Sequence, residues 1–584
     1  MKTSNDKANP FFPRAAGPRL PAQAGLRESS TVKKWMSIVG IAVTLAFSFY
    51  LMLHTFSYDR TRHELQIASK AWSDFGAHIP LIRSFSYGPN FSRLFSGQPV
   101  ESPLFPGEPI RYHFGFYALV GILERAGLPI DLALNIPSAL GLTLLVCAIY
   151  LTALRFFKER GVAFFSVVFF LFNGSLSFLQ FFYTHPLNSD TLTDIMTNDR
   201  FPAFGPWDGS TISAFWNLNI YTNQRHLALS YGLVLLNILL LVFPHKRIAK
   251  HPLVRAMILS ATTSILLFIH YPAALIFAVF ALSIFFNTPE TRKPLILAGL
   301  LSLPAMILLS RISNTSANII WQPGYLSRSV TIPAMLSYWF ENIGLHFLFI
   351  PLGLILAPKN IRKIFLGPVL VLFILPNLFR FSPDMINNHK FLNFFLIIGN
   401  MFSAYAVTRI LKRFDNIPMR QLRKPLQWIV GTGLIIILTL SGIIDLFAVI
   451  NDTKGTVPDV HSDPDTAYIL NKTDLYAVIA NSTWLYHPAS IAGRAIFSGY
   501  TYFTWSYGYN QGGRESEQTA LYQSPDLSML CNRLKSEGIA AVELNERPEQ
   551  YLSPNMDLWN NLIPDYENPQ SGRRIYITEH ICRI

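Results

Sequence analysis

Apolar residues in this chain are bunched and not alternated. Runs of about 18 to 25 hydrophobic positions are separated by short basic segments, the pattern of helices that cross a bilayer. Length places these runs at 35–54, 133–154, 162–183, 226–243, 254–270, 271–287, 294–311, 335–357, 364–380, 390–411 and 427–449, about eleven transmembrane helices at 1.5 Å per residue. His270, Tyr271 and Pro272 interrupt one long stretch, which is therefore divided into two tightly turned spans. Residues 112–126 are short and carry Glu124 and Arg125, and read as a helix beside the membrane on its outer side.

Composition agrees with this reading: 51% of the 584 residues are hydrophobic and 14% charged. The net charge of +13 would suggest nucleic acid in a soluble domain, but its location argues otherwise. Lys33, Lys34, Arg155, Lys158, Arg160, Lys246, Arg247, Lys250, Arg292, Lys293, Lys359, Arg362, Lys363, Lys412, Arg413, Arg423 and Lys424 flank the apolar runs. An odd number of spans puts all of them on one face, read as cytoplasmic, and no nucleic-acid partner is expected.

The predicted fold class is a polytopic α-helical membrane protein with a C-terminal extracytoplasmic mixed α/β domain. Its parts are a flexible cytoplasmic leader at 1–34, a transmembrane domain at 35–449 with outer loops 55–132 and 184–225, and the tail domain at 450–584. The expected location is the plasma or inner membrane. In the tail, TAYILN and GIAAVELN read as strands and LSMLCNRLKSEG as an amphipathic helix. Of three cysteines, Cys147 lies in an apolar run, while Cys531 and Cys582 lie in the tail and can pair.

Candidate chemistry falls on the outer loops. Asp74 and His78, four apart in KAWSDFGAHIPLIRSFSYGPN, share one face of a short helix with Arg83 near its end. A carboxylate there can take a proton from an acceptor hydroxyl, or simply cap a helix. Arg111 and His113, after a proline-rich approach, can contact an anion or pack at the interface. Arg225 and His226, and likewise His389 and Lys390, precede apolar helices. A cation at such a bundle mouth needs a carboxylate, water or a phosphate. His487 and Arg494 lie in an aromatic-rich tail segment suited to covering a sugar phosphate. Asp190, Asp194, Asp199 and Asp208 crowd the second outer loop; lacking EF-hand spacing or an HExxH pair, the first three are kept only as candidates for a divalent ion.

At this point WSDFGAH, PGEPIRYHFGFY and IYLTALRFFKER resemble the GT-C superfamily of multi-span glycosyltransferases that use polyprenyl-phosphate sugars, including protein mannosyltransferases and aminoarabinose transferases. The resemblance implies a GT-C-like fold, Asp74 as the acid-derived base, and a polyprenyl-phosphate sugar as donor. It also implies membrane lipid and lipid-linked sugar as partners, and a glycan, lipid or protein acceptor. The chain departs from some relatives in its lone Asp74 and the lack of a His-Pro-Pro signature. The alternatives are a transporter or flippase for a lipid-linked or anionic solute, which would place ionisable groups deep in the spans, and a noncatalytic membrane assembly protein.

Overall fold

The structure is a computed structural model that describes residues 30–203, 213–313, 319–416 and 420–583. Leader residues 1–29 and Asp208 lie outside the described residues. Among the described residues, seven helices are long and apolar enough to cross a membrane: Ile38–Thr55, Ile130–Phe157, Pro252–Asn287, Pro289–Ile312, Lys359–Leu378, Met385–Arg413 and Gln421–Ile450. Their outward residues are apolar as well; Leu300 is 57% and Ile307 54% exposed, which suits a hydrocarbon surround and not water.

The expected eleven spans are therefore corrected to seven, or eight if the bent pair Ile332–Ile343 and His346–Leu356 counts as one. Each difference has a local cause. At 335–357 the chain turns by 92° between two helices, where Gly344 adopts φ 54°, a conformation a side chain disfavours. The run 162–183 stops at Leu171 and resumes at Ser177. Gly174 there sits so close to the Leu438 carbonyl that a Cβ would collide with it. His226–Val242 has 17 residues, about 26 Å and shorter than the hydrocarbon layer. The two spans expected at 254–287 run on as Pro252–Asn287, two helices that meet at His270, where the backbone leaves helical values. Pro272 cannot donate to the ladder and crowds the preceding turn, and the chain turns back there: Arg255 reaches the Leu241 carbonyl, His270 packs on His226 at the other end of the helix His226–Val242, and Asn287 returns to the Lys363 carbonyl. Seven spans are odd and eight even, so parity no longer fixes the sidedness.

Outside the bundle, the chain's first outer loop and the segment after the last long helix are built together. Strands β1 (Phe56–Asp59), β2 (Glu64–Ala68) and β3 (Lys454–Pro458) form one antiparallel sheet in the order β1-β2-β3. Helix α1 (Trp72–Ser86) follows β2 and packs on α2 (Gly115–Arg125), which starts within the stretch read as an interfacial helix. Arg83 of α1 is 1% exposed and lies 2.7 Å from Asp459 and 3.4 Å from Glu124. It thus joins α1, α2 and the start of the tail.

The tail carries a five-stranded mixed sheet in the order β7-β8-β6-β4-β5, with β4 Val478–Ala480, β5 Ala495–Ile496, β6 Ile539–Asn545, β7 Tyr566–Asn568 and β8 Arg573–Ile577. GIAAVELN supplies β6, and LSMLCNRLKSEG the helix Leu527–Ser536. TAYILN is not a strand but part of the helix Pro464–Lys472. Asp463 caps it by accepting from Asp465 and Thr466 N–H, and Pro464 presets the first turn. Cys531 and Cys582 are disulfide-bonded, and Cys147 is free.

Replacing Arg83 by Met leaves two buried carboxylates without their cation, a loss of about 3–5 kcal/mol. Thermal unfolding of the purified protein should show a lower midpoint, together with faster proteolysis of the tail; an unchanged midpoint contradicts the clamp.

Candidate functional site

Two cavities meet beneath the tail. One, of about 420 Å³, is lined by Lys70, Asp74, His78, Asn223, His389 and Tyr500 among others. The second, of about 260 Å³, runs against Leu275 and Val279 of the Pro252–Asn287 helix and Val371, Leu372 and Leu375 of Lys359–Leu378, with Arg111 and Lys390 in its wall. Tyr112, Asn387, Ser506 and Tyr507 line both. A polar chamber and an apolar groove between membrane-length helices are thus separated by one thin wall.

The roof comes from helix α3 (Thr501–Ser506) and its flanks. Tyr502 donates to Asp384 over 2.7 Å. The Tyr509 hydroxyl donates to the Pro109 carbonyl and accepts from Arg111 N–H. The Arg111 guanidinium contacts the Gly508 carbonyl and lies over the Tyr509 ring. These contacts hold the tail against the proline-rich approach to α2.

Asp74 and His78 stand one turn apart on α1, as the sequence spacing predicts. Asp74 is half-buried and lines the polar chamber. Burial pushes its carboxyl up to about 6, against the opposing charge of Lys390 and a hydrogen bond from Asn223. His78 is 3% exposed. Burial, with the charges of Arg225 and Lys390, lowers it to about 3, so it is neutral at physiological pH. Lys390 Nζ lies 3.5 Å from Asn387 Oδ1 and 5.2 Å from the Tyr112 ring centroid. It belongs to the groove wall while its charge reaches Asp74 in the chamber. His389 lines the chamber, 3.4 Å from Gln224 and 3.1 Å from Asn393.

The other expected contacts lie elsewhere. Arg225 is fully buried and lines neither cavity. It donates to Thr55 Oγ1 at 2.7 Å, to Asn135 Oδ1 at 3.2 Å and to the Met52 carbonyl at 3.3 Å. It therefore satisfies the frayed carbonyl end of the Ser30–Thr55 helix, where a cation also complements the dipole. Arg494 does the same for the helix Pro464–Lys472, donating to the Leu470 and Thr473 carbonyls, and also to the Tyr87 carbonyl. His487 caps Pro488–Ile491 and lies 3.2 Å from Glu543 inside the tail. Asp190 and Asp199 are exposed and Asp194 partly so. They do not assemble into a ligand set.

The group able to hold a divalent metal is a different one. Among the described residues, His113, His226 and His270 bring ligand nitrogens within 4.8 Å of one another, all buried. Of these, His113 lines the apolar groove. Sequence reasoning passed over His270, Asn223 and Asn387. An ionisable residue inside an apolar run is a functional signal, and His270 carried it; the two asparagines gave none.

No protein-family model matches the chain, and no curated protein matches it. Among solved structures it is similar to the archaeal oligosaccharyltransferase AglB from Archaeoglobus fulgidus, in complex with an inhibitory peptide and a dolichol-phosphate. That match has 13% identity and a TM-score of 0.42, and covers 88% of this chain and 70% of that one. It is also similar to ArnT from Cupriavidus metallidurans, with 94% of this chain and 98% of that one covered. The apo state gives 9% identity and a TM-score of 0.49, and the state bound to undecaprenyl phosphate 10% and 0.47.

Arg225→Met should lower stability by about 1–3 kcal/mol, since it leaves buried acceptors unpaired, with affinity for a polyprenyl phosphate unchanged. Weakened lipid binding at unchanged stability would return Arg225 to the site.

Proposed function

We propose that the protein is a membrane glycosyltransferase that moves a sugar from a polyprenyl-phosphate donor to a lipid, glycan or protein acceptor on the outer membrane face, by inverting substitution. The observation that supports this reading is the shared wall between a chamber holding Asp74 and an apolar groove carrying Lys390 and Arg111. A lipid-linked sugar phosphate has the same division, with an apolar tail, an anionic link and a polar head.

In this reading the isoprenoid lies along Leu275, Val279, Val371 and Leu375. Its phosphate meets Lys390 and Arg111, a point charge and a fork of donors. The sugar passes Tyr112 and Tyr507 into the chamber, where an acceptor hydroxyl approaches Asp74. Asp74 accepts the hydroxyl proton while the acceptor oxygen bonds to the anomeric carbon. The bond from that carbon to the phosphate oxygen breaks, and its electron pair leaves on the phosphate. Lys390 offsets the charge that develops there. His78 and His389 position oxygens by hydrogen bonding, and the tail with its Tyr500–Tyr507 segment covers the site from outside.

A base at about 6 is mostly ionised at neutral pH and still basic enough to accept a proton. Transfer should therefore fall as pH drops through about 6, because protonated Asp74 cannot act as base. Lys390→Met removes a charge that lowers Asp74, so the acid limb of the rate profile should move to higher pH. Asp74→Asn should reduce transfer by about 10²-fold or more, with donor binding and folding retained. Turnover like that of the unaltered protein, measured with a polyprenyl-phosphate sugar, contradicts the assignment.

A further inference from the structure

We propose that His113, His226 and His270 bind a zinc-class divalent ion, and that this ion, acting through Tyr117, fixes His78 as a hydrogen-bond donor on the wall of the Asp74 chamber. The meaning of that chamber rests on the transferase reading; the ion site itself does not.

The three rings come from separate elements: the approach to α2, the first residue of the helix His226–Val242, and the kink in Pro252–Asn287. Their convergence is built into the backbone. At the kink, Pro272 and the non-helical His270 open the turn around Phe268. Gly115 packs onto that turn so closely that a Cβ would fall 2.7 Å from the Phe268 carbonyl carbon. Only glycine permits this approach, and it carries His113, two residues earlier, to the kink. Ring centroids then lie 4.2 Å (His113 to His226), 4.8 Å (His113 to His270) and 5.0 Å (His226 to His270) apart.

His270 is the observation that points to a ligand. It is 0% exposed, and neither of its ring nitrogens has a hydrogen-bond partner. A buried unpaired polar atom costs about 1–3 kcal/mol, and a bound ion removes that cost. Three imidazoles with no carboxylate select zinc-class ions over calcium or magnesium. Zn–N bonds of about 2.0–2.1 Å set tetrahedral ligand nitrogens about 3.3 Å apart. His113 Nε2 and His226 Nε2 are 2.7 Å apart, a hydrogen-bond distance, so loading parts these rings by about 0.6 Å.

The consequence runs outward from the ion. With Nε2 on the metal, His226 must carry its proton on Nδ1, which lies 3.1 Å from the Tyr117 hydroxyl and so donates to it. Tyr117 then donates to His78 Nε2, 2.8 Å away. His78 is left with its proton on Nδ1, an atom with no protein partner, on a ring that lines the chamber. Nδ1 is itself buried, so this proton sets the polarity of the ring on the chamber wall, and Asp74 remains the base. Without the ion, the chain of hydrogen bonds can run in either direction.

The test uses the full-length protein, purified in detergent without a histidine tag, stripped with chelator, then supplied with Zn²⁺ alone. One equivalent should stay bound through gel filtration. His270→Ala, which deletes a side chain that makes no hydrogen bond, should lose it. Should that variant not fold, Co²⁺ in the unaltered protein should give the intense visible bands of a tetrahedral nitrogen site. ¹⁵N spectra of histidine-labelled protein should show His78 protonated at Nδ1 when loaded. Stripping the ion, or Tyr117→Phe with the ion retained, should release that preference. Absence of bound zinc, zinc retained by folded His270→Ala, or a purely octahedral Co²⁺ spectrum overturns the site; a His78 signal indifferent to the ion overturns the coupling. Asp74→Asn should bind zinc normally whatever it does to transfer, so failure of the transferase reading is told apart from failure of this one.

Discussion

The buried cation of Arg83, held between Asp459 at the start of the tail and Glu124 on α2, joins the tail to the helices beside the bundle and so places it over the chamber. Burial works against any ion here. It lowers the Arg83 guanidinium's preference for charge, but the two carboxylates outweigh it and hold the group protonated. Beside it, β3 extends the sheet of the first outer loop, and Tyr502 and Tyr509 fasten the roof to Asp384 and Pro109. The tail therefore covers Asp74 by being fixed to the same helix that carries it.

Enclosure has an electrostatic result. A carboxylate withdrawn from water titrates higher, and Asp74 does so with only Lys390 and Asn223 opposing. Lys390 stands in the groove wall, on the far side of the partition formed by Tyr112 and Tyr507. Lys70, also on the chamber wall, is paired with Asp452, and Asn223 and Asn387 shape the chamber without adding charge that burial would penalise.

Much of this was legible in the sequence and some was not. Apolar run lengths located the bundle, and the four-residue spacing of Asp74 and His78 put both on one helical face. Hydropathy could not see the breaks at Gly344 and Gly174, because the cause of each lies in backbone geometry or a neighbouring helix and not in local polarity. His270–Tyr271–Pro272 was visible as an interruption, and the two helices of Pro252–Asn287 meet there. Arg225 and Arg494 looked like phosphate ligands because an arginine beside apolar sequence needs a partner. Their partners are the carbonyl ends of helices that are remote in sequence. TAYILN looked like a strand because its apolar residues outweighed the signal of Asp463 and Pro464 just before it.

A density map of the protein with a bound polyprenyl phosphate tests the central claim most directly. The account predicts the phosphate beside Lys390 and Arg111, with the isoprenoid between the helices Pro252–Asn287 and Lys359–Leu378 and the headgroup side facing Asp74. A lipid bound elsewhere on the bundle, with the groove closed and Asp74 cut off from it, would contradict it.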